Sequence, residues 1–221
     1  MGKRTIIVLA TRNKGKTEEI RELLKQFPVD LKNLDDFGPI PSVVEDGETF
    51  DENAYKKASF TARVLGIPAI ADDSGLVVDA LDGAPGVYSA RYAGENATDE
   101  ENLNKLLIEM TGKTNRNAAF ECVISLAVPS GAALTYEGRC EGLIAETPSG
   151  ANGFGYDPVF FHPESNKTFA EIGLSEKGAV SHRGKALTDM ANEFDKVLIW
   201  IEQCMPNLTK QGCMGGSHGG E

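Results

Sequence analysis

The sequence predicts an α/β fold, an α+β mixture in which helices flank one long, mixed β-sheet. In the first half, short apolar runs of strand length alternate with segments of helical spacing, which is typical of parallel strands joined by helices. In the second half, two longer runs on either side of the turn residues Pro129-Ser130-Gly131 predict an antiparallel hairpin. We expect the cleft of such a fold where the strand ends of the two halves meet.

The chain opens with a strand, a turn and a helix. A β-branched apolar run at residues 4–10 predicts the strand, and an extended segment is expected again at residues 29–34. Between them, apolar side chains at helical spacing predict the first helix: Ile20, Leu23, Leu24 and Phe27.

A second helix is expected after a Pro- and Gly-rich loop. Thr49 and Glu52 have the spacing of a capping box at its start, and Gly66 is a typical helix end. The short apolar strand that follows leads directly into Asp72 and Asp73. Carboxylates in that position are well placed for chemistry.

The second half predicts a further helix, the hairpin and a last helix. Residues 82–97 are expected to be irregular, and Thr98 with Glu101 forms a second capping-box pattern. After the hairpin and a short strand, one continuous helix is expected at residues 183–203. Its apolar stripe is Leu187, Met190, Phe194, Val197, Leu198 and Ile201.

Composition restricts the class of protein. The 221 residues are 41% hydrophobic, so residues 1–208 are expected to form one domain, with a disordered Gly-rich tail at residues 209–221. The apolar runs are far shorter than the ~20 residues of a membrane span, and no export signal is visible, which predicts a cytoplasmic protein without a membrane partner. The net charge of −11 argues against nucleic acid as the partner, whereas a single phosphorylated small molecule remains compatible with it.

Cysteine and histidine spacing does not predict a zinc cluster, because there is no CxxC pair. Cys122 and Cys140 lie on the predicted hairpin. Without an export signal, they are expected to be buried free thiols.

The first turn is a candidate phosphate site. Its residues Gly15-Lys16-Thr17 match the end of a Walker A motif, but that motif requires glycine at the position of Ala10. Polar side chains and free amides at a helix N-terminus still favour a phosphate ligand at Thr11, Asn13, Lys14 and Lys16. The alternative is a capped helix with solvated lysines.

Asp72 and Asp73 are candidates for catalysis. Because neighbouring side chains of a strand point to opposite faces, only one of them is expected in the cleft unless the strand ends between them. That carboxylate could hold Mg²⁺ or take a proton from water, with Glu45, Asp46 or Glu48 completing a metal site. The alternative is an Asp-Ser-Gly turn in which the carboxylates bond local backbone amides.

Two later segments are candidates for a nucleobase pocket. In the Gly-rich loop, Phe154 and Tyr156 could stack on a base and Asp157 could accept from an N–H edge, unless these aromatic residues belong to the core. Further on, "SEKGAVSHR" places Lys177, His182 and Arg183 before the last helix, where the helix dipole disfavours cations. An anionic or electron-rich partner is expected there, with solvent screening as the alternative.

Taken together and in this order, "TRNKGK", "ADDSGL", "SARYAG", "GFGYDP" and "SHR" resemble the signature of the Ham1/RdgB family. This family comprises inosine triphosphate pyrophosphatases, which hydrolyse non-canonical purine nucleotides such as ITP, dITP and XTP. The resemblance covers about residues 4–203. It implies a long mixed sheet in two lobes with the active cleft between them, Mg²⁺ as cofactor, and a homodimer.

The resemblance also implies roles for individual residues. It assigns the metal ligands to Glu45 and Asp73, and the general base to Asp73. Its substrate contacts fall into three groups. The phosphate turn is Thr11, Arg12, Asn13, Lys14, Gly15 and Lys16, and the two contacts near the general base are Lys57 and Ser74. The nucleobase side is Phe154, Gly155, Tyr156, Asp157, Lys177, His182 and Arg183.

The predicted reaction is attack of water at the α-phosphorus, which releases pyrophosphate and leaves the nucleoside monophosphate. Lys177 and Arg183 can only donate hydrogen bonds, so they would pair with the keto oxygen of hypoxanthine or xanthine and leave adenine unsatisfied. Two rival hypotheses remain, a P-loop-like NTPase or kinase and a non-catalytic nucleotide-binding module. The first would form a nucleoside diphosphate, and the second no product.

Overall fold

The computed structural model describes residues 4–205. Their strands are β1 Thr5–Leu9, β2 Val29–Asn33, β3 Ala69–Val78, β4 Asn117–Ala127, β5 Ala133–Ile144, β6 Phe160–His162 and β7 Lys167–Thr168. Their α-helices are α1 Lys14–Leu24, α2 Phe50–Leu65, α3 Asp99–Glu109, α4 Leu174–Val180, α5 His182–Asn192 and α6 Phe194–Cys204.

The strands form one seven-stranded sheet in the order β2-β1-β3-β4-β5-β6-β7. β1 pairs in parallel with β2 and β3, whereas β3 to β7 pair in antiparallel fashion. The predicted mixed sheet flanked by helices is therefore confirmed, as is the hairpin, which is β4 and β5.

Helices cover both faces of the sheet around β3. On one face, α1, α5 and α6 pack on the strands through a cluster that includes Ile70 and Ile124. On the other face, α2 packs through Ala58 and Ala62 against Ala71. A separate cluster fills the other end of the sheet with aromatic and aliphatic side chains, among them Leu76, Leu106, Tyr156, Phe160 and Phe169.

The prediction of one continuous last helix is wrong, because the helix breaks at Glu193. This residue has φ −122° and ψ 18°, and its backbone N–H donates to the carbonyls of Met190 and Ala191. Its carboxylate accepts a hydrogen bond of 2.8 Å from the Tyr136 hydroxyl on β5. The predicted apolar stripe is confirmed, since all six of its residues belong to the cluster under α5 and α6 or pack against it.

The capping patterns are confirmed to different extents. At α3 the box is complete: Thr98 Oγ1 accepts from the Glu101 N–H, and Glu101 Oε2 accepts from the Thr98 N–H. At α2, Thr49 Oγ1 accepts from the Glu52 N–H, but the Glu52 carboxylate accepts from the Glu48 N–H instead. The Glu52 side chain thereby fixes the loop before α2 at Glu48.

Cys122 and Cys140 are buried free thiols, as predicted. Within residues 4–205, no helix is long and apolar enough to cross a membrane. The tail predicted at residues 209–221 lies outside the described residues.

Candidate active site

The candidate site lies where β3 extends beyond its neighbour β1. β1 ends at Leu9 and pairs with β3 only as far as Ile70. β3 continues to Val78 on its ladder with β4. Farther along the free edge, the Leu76 N–H donates to Ser89 Oγ at 2.9 Å, so the following segment covers that part of the strand. The edge left open between these points carries Ala71 to Ser74.

Asp72 and Asp73 project to opposite faces of β3, as predicted for neighbouring strand residues. Asp72 lies 3.0 Å from Lys16 Nζ of α1 and 2.8 Å from Arg183 Nη2 of α5. Asp73 lies on the α2 side, 2.7 Å from Lys57 Nζ. The strand does not end between them, so the alternative of an Asp-Ser-Gly turn is wrong.

The two carboxylates have different environments. Burial raises the pKa of Asp72, but Lys16 and Arg183 outweigh it, and the pKa of Asp72 falls well below its ordinary value. Burial raises the pKa of Asp73 above its ordinary value, and Lys57 opposes this only in part. Of the two, it is Asp73 that lines the cleft cavity. A carboxylate that faces the cavity and has a raised pKa is the better proton acceptor.

Two cavities meet at this point. The first, of about 340 Å³, lies beside Asp73 and carries four cationic side chains: Arg12, Lys16, Lys57 and Arg91. The second, of about 100 Å³, is lined by Phe120, Phe154, Gly155, Tyr156, Asp157, Lys177, His182 and Arg183. Four residues line both cavities: Asn13, Lys16, Ser74 and Ala90. A cationic cavity therefore continues into one with aromatic walls.

The turn at the start of α1 has the geometry of a capped helix. Asn13 Oδ1 accepts from the Lys16 N–H at 3.1 Å, and Thr11 Oγ1 accepts from the Asn13 N–H at 3.2 Å. Lys16 is not solvated, because its side chain is 17% exposed and bound to Asp72. Lys14 is exposed and lines neither cavity, so the structure does not bring it to the site.

Gly15 lines neither cavity, but it packs against Phe154, which lines the second cavity. A Cβ atom at Gly15 would lie 2.4 Å from Phe154 Cδ1, so only a residue without a side chain fits against this ring. The same ring lies over Lys177 Nζ at 4.8 Å and over the Arg183 guanidinium at 5.7 Å. Phe154 thus connects the first turn with the cations of the second cavity.

Lys57 connects the two carboxylates proposed for metal binding. Its Nζ atom lies 2.8 Å from Glu45 Oε2 and 2.7 Å from Asp73 Oδ1. Burial lowers the pKa of Lys57, but the two carboxylates outweigh it and raise the pKa above its ordinary value. Asp46 and Glu48 were the other acidic candidates for the metal site. Asp46 pairs with Lys56 at the surface. Within residues 4–205, the side chains that hydrogen-bond to Asp73 are Asn53 and Lys57, and Glu48 does not contact it.

The donor set suits a magnesium ion that is shared with a substrate. Residues 4–205 contain no group of three or more His, Cys, Asp or Glu side chains that could hold a metal. Mg²⁺, however, is commonly bound by one or two carboxylates together with substrate phosphates. The Lys57 ammonium already occupies a cation position between Glu45 and Asp73. These two residues therefore fit Mg²⁺ when phosphate oxygens complete its coordination.

The cations predicted on the nucleobase side are paired within the protein. Lys177, on the unpredicted short helix α4, lies 2.8 Å from Glu19 Oε1 and 2.6 Å from Asp157 Oδ2. Arg183 pairs with Glu19 as well as with Asp72. Buried carboxylates therefore neutralise these charges, so the alternative of solvent screening is wrong, and the expected anionic or electron-rich ligand stays a prediction.

His182 does not add a third cation. It is buried, and burial together with Arg183 and Lys177 lowers its pKa well below the ordinary value. Its ring stacks on Phe120 with centroids 4.6 Å apart, and its Nδ1 atom has no hydrogen-bond partner among residues 4–205. A neutral imidazole therefore lines the second cavity.

The remaining predicted residues of the Gly-rich loop are held by the fold. The Tyr156 hydroxyl donates to the Ser89 carbonyl at 2.8 Å, and Tyr156 itself is buried. Asp157 Oδ2 accepts from the Phe154 N–H at 2.9 Å as well as from Lys177. The Gly155 N–H donates to Asp99 Oδ2 at 2.8 Å. Asp157 Oδ2 is thus engaged by its own loop and by Lys177 of α4, and the contact of Asp157 with a base edge stays a prediction.

Sequence reasoning missed three residues of the site. Glu19 follows Lys16 by three positions, so it lies on the same helical face, and this spacing could have indicated it. Asn53 Nδ2 donates to Asp73 Oδ2 at 3.3 Å, and its buried position on α2 gave no distinct signal. Arg91 lies within "SARYAG". It lines the cationic cavity and donates to the Glu45 carbonyl at 3.1 Å.

The fold and the site define a class of protein: an α/β protein whose cleft joins a cationic cavity, suited to phosphates, to an aromatic cavity with hydrogen-bond donors. This combination is typical of a nucleotide site. A sequence model described as the Ham1 family matches residues 7–193, and the chain belongs to that family.

Similar proteins support this placement. The chain is 62% identical over 196 residues to a protein of Syntrophobacter fumaroxidans named dITP/XTP pyrophosphatase, covering 89% of this chain and 84% of that protein. It is 59% identical to a protein of the same name from Desulfotalea psychrophila, covering 90% and 89%. A solved structure of a Ham1 protein from Coxiella burnetii has a TM-score of 0.80 at 44% identity, covering 87% of this chain and 99% of that one.

Proposed function

We propose that this chain hydrolyses non-canonical purine nucleoside triphosphates, ITP, dITP and XTP, to the monophosphate and pyrophosphate. One observation carries the proposal: a cavity with four cationic side chains continues into an aromatic cavity. Asp73 lines the cationic cavity, and its neighbour Ser74 lines both cavities. A polyphosphate and its purine fit these two spaces in that order. The rival P-loop hypothesis is not favoured, because Ala10 lies where a Walker A glycine is required.

The cationic cavity binds the polyphosphate. The net charge of the protein is −11, so local cations are needed to admit a polyanion. Lys16, Arg12 and Arg91 line the wall around the first turn of α1 and the Glu45 loop. Glu45 and Asp73 would hold Mg²⁺, which would add positive charge next to the phosphate oxygens and polarise the phosphorus.

Asp73 is the general base of this proposal. Its Oδ2 atom accepts from Asn53 Nδ2, which fixes its orientation, and in the free protein its Oδ1 atom also accepts from Lys57 Nζ. From this position the carboxylate takes a proton from the water that attacks the α-phosphorus. Pyrophosphate then leaves within the cationic cavity.

Lys177 and Arg183 read the base. The Lys177 ammonium has three donors; it donates one to Asp157 and also forms an ion pair with Glu19. Arg183 has five N–H groups and directs four to Glu19, Asp72 and Ser74. The remaining donors suit the keto oxygen of hypoxanthine or xanthine, whereas the amino group of adenine would leave them unsatisfied.

Product analysis tests the proposed reaction. With ITP and Mg²⁺, we expect IMP and pyrophosphate as the products, separated by anion-exchange chromatography. IDP with orthophosphate would instead favour the P-loop class, and binding without any product would favour a binding module. A parallel assay with ATP should show much slower turnover if the base is read as proposed.

Arg91 should matter for substrate affinity. In an Arg91→Met variant, a cation of the phosphate cavity and the hydrogen bond to the Glu45 carbonyl are both lost. Since charge-assisted hydrogen bonds contribute about 1.5–3 kcal/mol, we expect kcat/KM for ITP to fall roughly 10- to 100-fold, mainly through KM. Arg4→Met is the matched control, because Arg4 also donates to a backbone carbonyl, that of Val29, away from the cavity. Equal kcat/KM values in the two variants would contradict the role of Arg91.

The proposal includes one catalytic domain at residues 1–208, a cytoplasmic location and a homodimer. The dimer rests on family resemblance, and sedimentation equilibrium of the purified protein decides it.

A further inference from the structure

The contact between Lys57, Glu45 and Asp73 has a consequence for the order in which ligands bind. The ammonium lies 2.8 Å from Glu45 Oε2 and 2.7 Å from Asp73 Oδ1, so one cation already bridges the two carboxylates. The Lys57 side chain is 12% exposed and the Asp73 side chain 11%, so water screens the Lys57–Asp73 pair poorly, whereas Glu45 is 40% exposed. The position that a bridging metal ion requires is therefore filled by the protein itself.

A divalent ion is expected to bind weakly between Glu45 and Asp73 while the Lys57 ammonium lies between them. The three groups carry a net charge of −1, and adding Mg²⁺ would set two cations side by side. Moreover, no third His, Cys, Asp or Glu of residues 4–205 joins the pair as a ligand. Mg²⁺ also gives up its hydration shell reluctantly.

A polyphosphate changes this balance. It brings several negative charges into the cavity that Lys57 lines, together with oxygens that can complete the metal coordination. The lysine side chain has a flexible four-carbon stem, so the ammonium can move from the carboxylates to a phosphate oxygen. The carboxylates are then released for the metal.

On the basis of the proposed function, we infer that Lys57 excludes divalent metal from Glu45 and Asp73 until a nucleotide binds. In the free protein the ammonium substitutes for the metal ion. In the complex it contacts phosphate, and the metal occupies the carboxylate pair. Metal and nucleotide therefore strengthen each other's binding by the same factor.

Titration with Mn²⁺ in the absence of nucleotide tests this inference. Free Mn²⁺ is measured by electron paramagnetic resonance for the wild type, Lys57→Met, and the double variant Glu45→Gln/Lys57→Met. We expect Lys57→Met to bind one Mn²⁺ at least tenfold more tightly than the wild type, and the double variant to lose that gain. Lys56→Met is the matched control, because it removes the same charge one residue away, where the partner is the surface residue Asp46.

Several results would overturn the inference: equal Mn²⁺ affinity of the wild type and Lys57→Met, or an equal gain in Lys56→Met. A second comparison does not depend on the folding of the Lys57 variant. If Lys57 blocks the pair, Glu45→Gln and the wild type should bind Mn²⁺ equally without nucleotide. Weaker binding by Glu45→Gln would show that the pair already holds metal. The ITP product assay on the wild type is independent of these titrations, so failure of the proposed function can be distinguished from failure of the inference about Lys57.

Discussion

Replacing Asp73 by Asn is expected to remove nearly all ITP turnover and to retain nucleotide binding. The amide has the shape of the carboxylate but cannot accept the proton of the attacking water. Since general base catalysis typically contributes 10²–10⁴-fold, kcat should fall by roughly that factor or more, because a proposed metal ligand is lost as well. Steady-state kinetics with ITP gives kcat, and calorimetric titration with IMP gives binding.

The fold should tolerate this substitution. Lys57 keeps Glu45 as a partner, and the carbonyl oxygen of the new side-chain amide can still accept a hydrogen bond. Asp46→Asn is the matched control, since it makes the same change at an exposed carboxylate of the neighbouring loop and should leave kcat unchanged. Turnover that survives in Asp73→Asn would refute the role of Asp73 as the base.

The local features of this fold could be predicted from the sequence because they depend on neighbours along the chain. The apolar stripe of the last helices and the opposite directions of Asp72 and Asp73 follow from backbone periodicity, and the capping box at Thr98 follows from hydrogen bonds between residues three positions apart. The length of β3 could not be predicted in the same way. The strand continues past Asp73 because β4 pairs with it as far as Val78.

The errors concern partners that are distant in sequence. Glu193 breaks the last helix where it meets Tyr136, 57 positions earlier. Arg183 pairs with Asp72, 111 positions away in the sequence, and with Glu19, 164 positions away. The charge of Arg183 could therefore be seen in the sequence, but the carboxylates that neutralise it could not be identified. The same limit applied to Lys57, whose position between Glu45 and Asp73 depends on three separate segments.

The buried charges form one alternating chain from the phosphate side to the base side. Lys16 pairs with Asp72, Asp72 with Arg183, and Arg183 with Glu19. Glu19 then pairs with Lys177, which pairs with Asp157. Each ion is stabilised by its neighbours, so the donors that read the base are held in fixed positions. The same arrangement makes the loss of one member costly.

Arg183→Met should therefore destabilise the protein strongly. It leaves Asp72 without one of its two cations and Glu19 with Lys177 alone, both in the interior. Removing one partner of a buried ion pair typically costs about 3–5 kcal/mol, and we expect a loss of that size in the free energy of unfolding, measured by urea denaturation at pH 7. Arg139→Met is the matched control, because Arg139 also has two carboxylate partners but is 47% exposed, and it should cost less than about 1 kcal/mol.

The pH dependence of this loss identifies its cause. In the wild type, burial raises the pKa of both carboxyls, but Lys16 and Arg183 outweigh it at Asp72, and Arg183 and Lys177 outweigh it at Glu19, so both pKa values lie below their ordinary values. A carboxyl whose pKa is lowered by folding stabilises the protein fully above its unfolded pKa of about 4, and this contribution decreases from there as the pH falls through the folded-state pKa. The difference in unfolding free energy between wild type and Arg183→Met should therefore shrink below about pH 4. A difference that stays constant with pH would mean that the loss comes from packing of the arginine side chain and not from its charge.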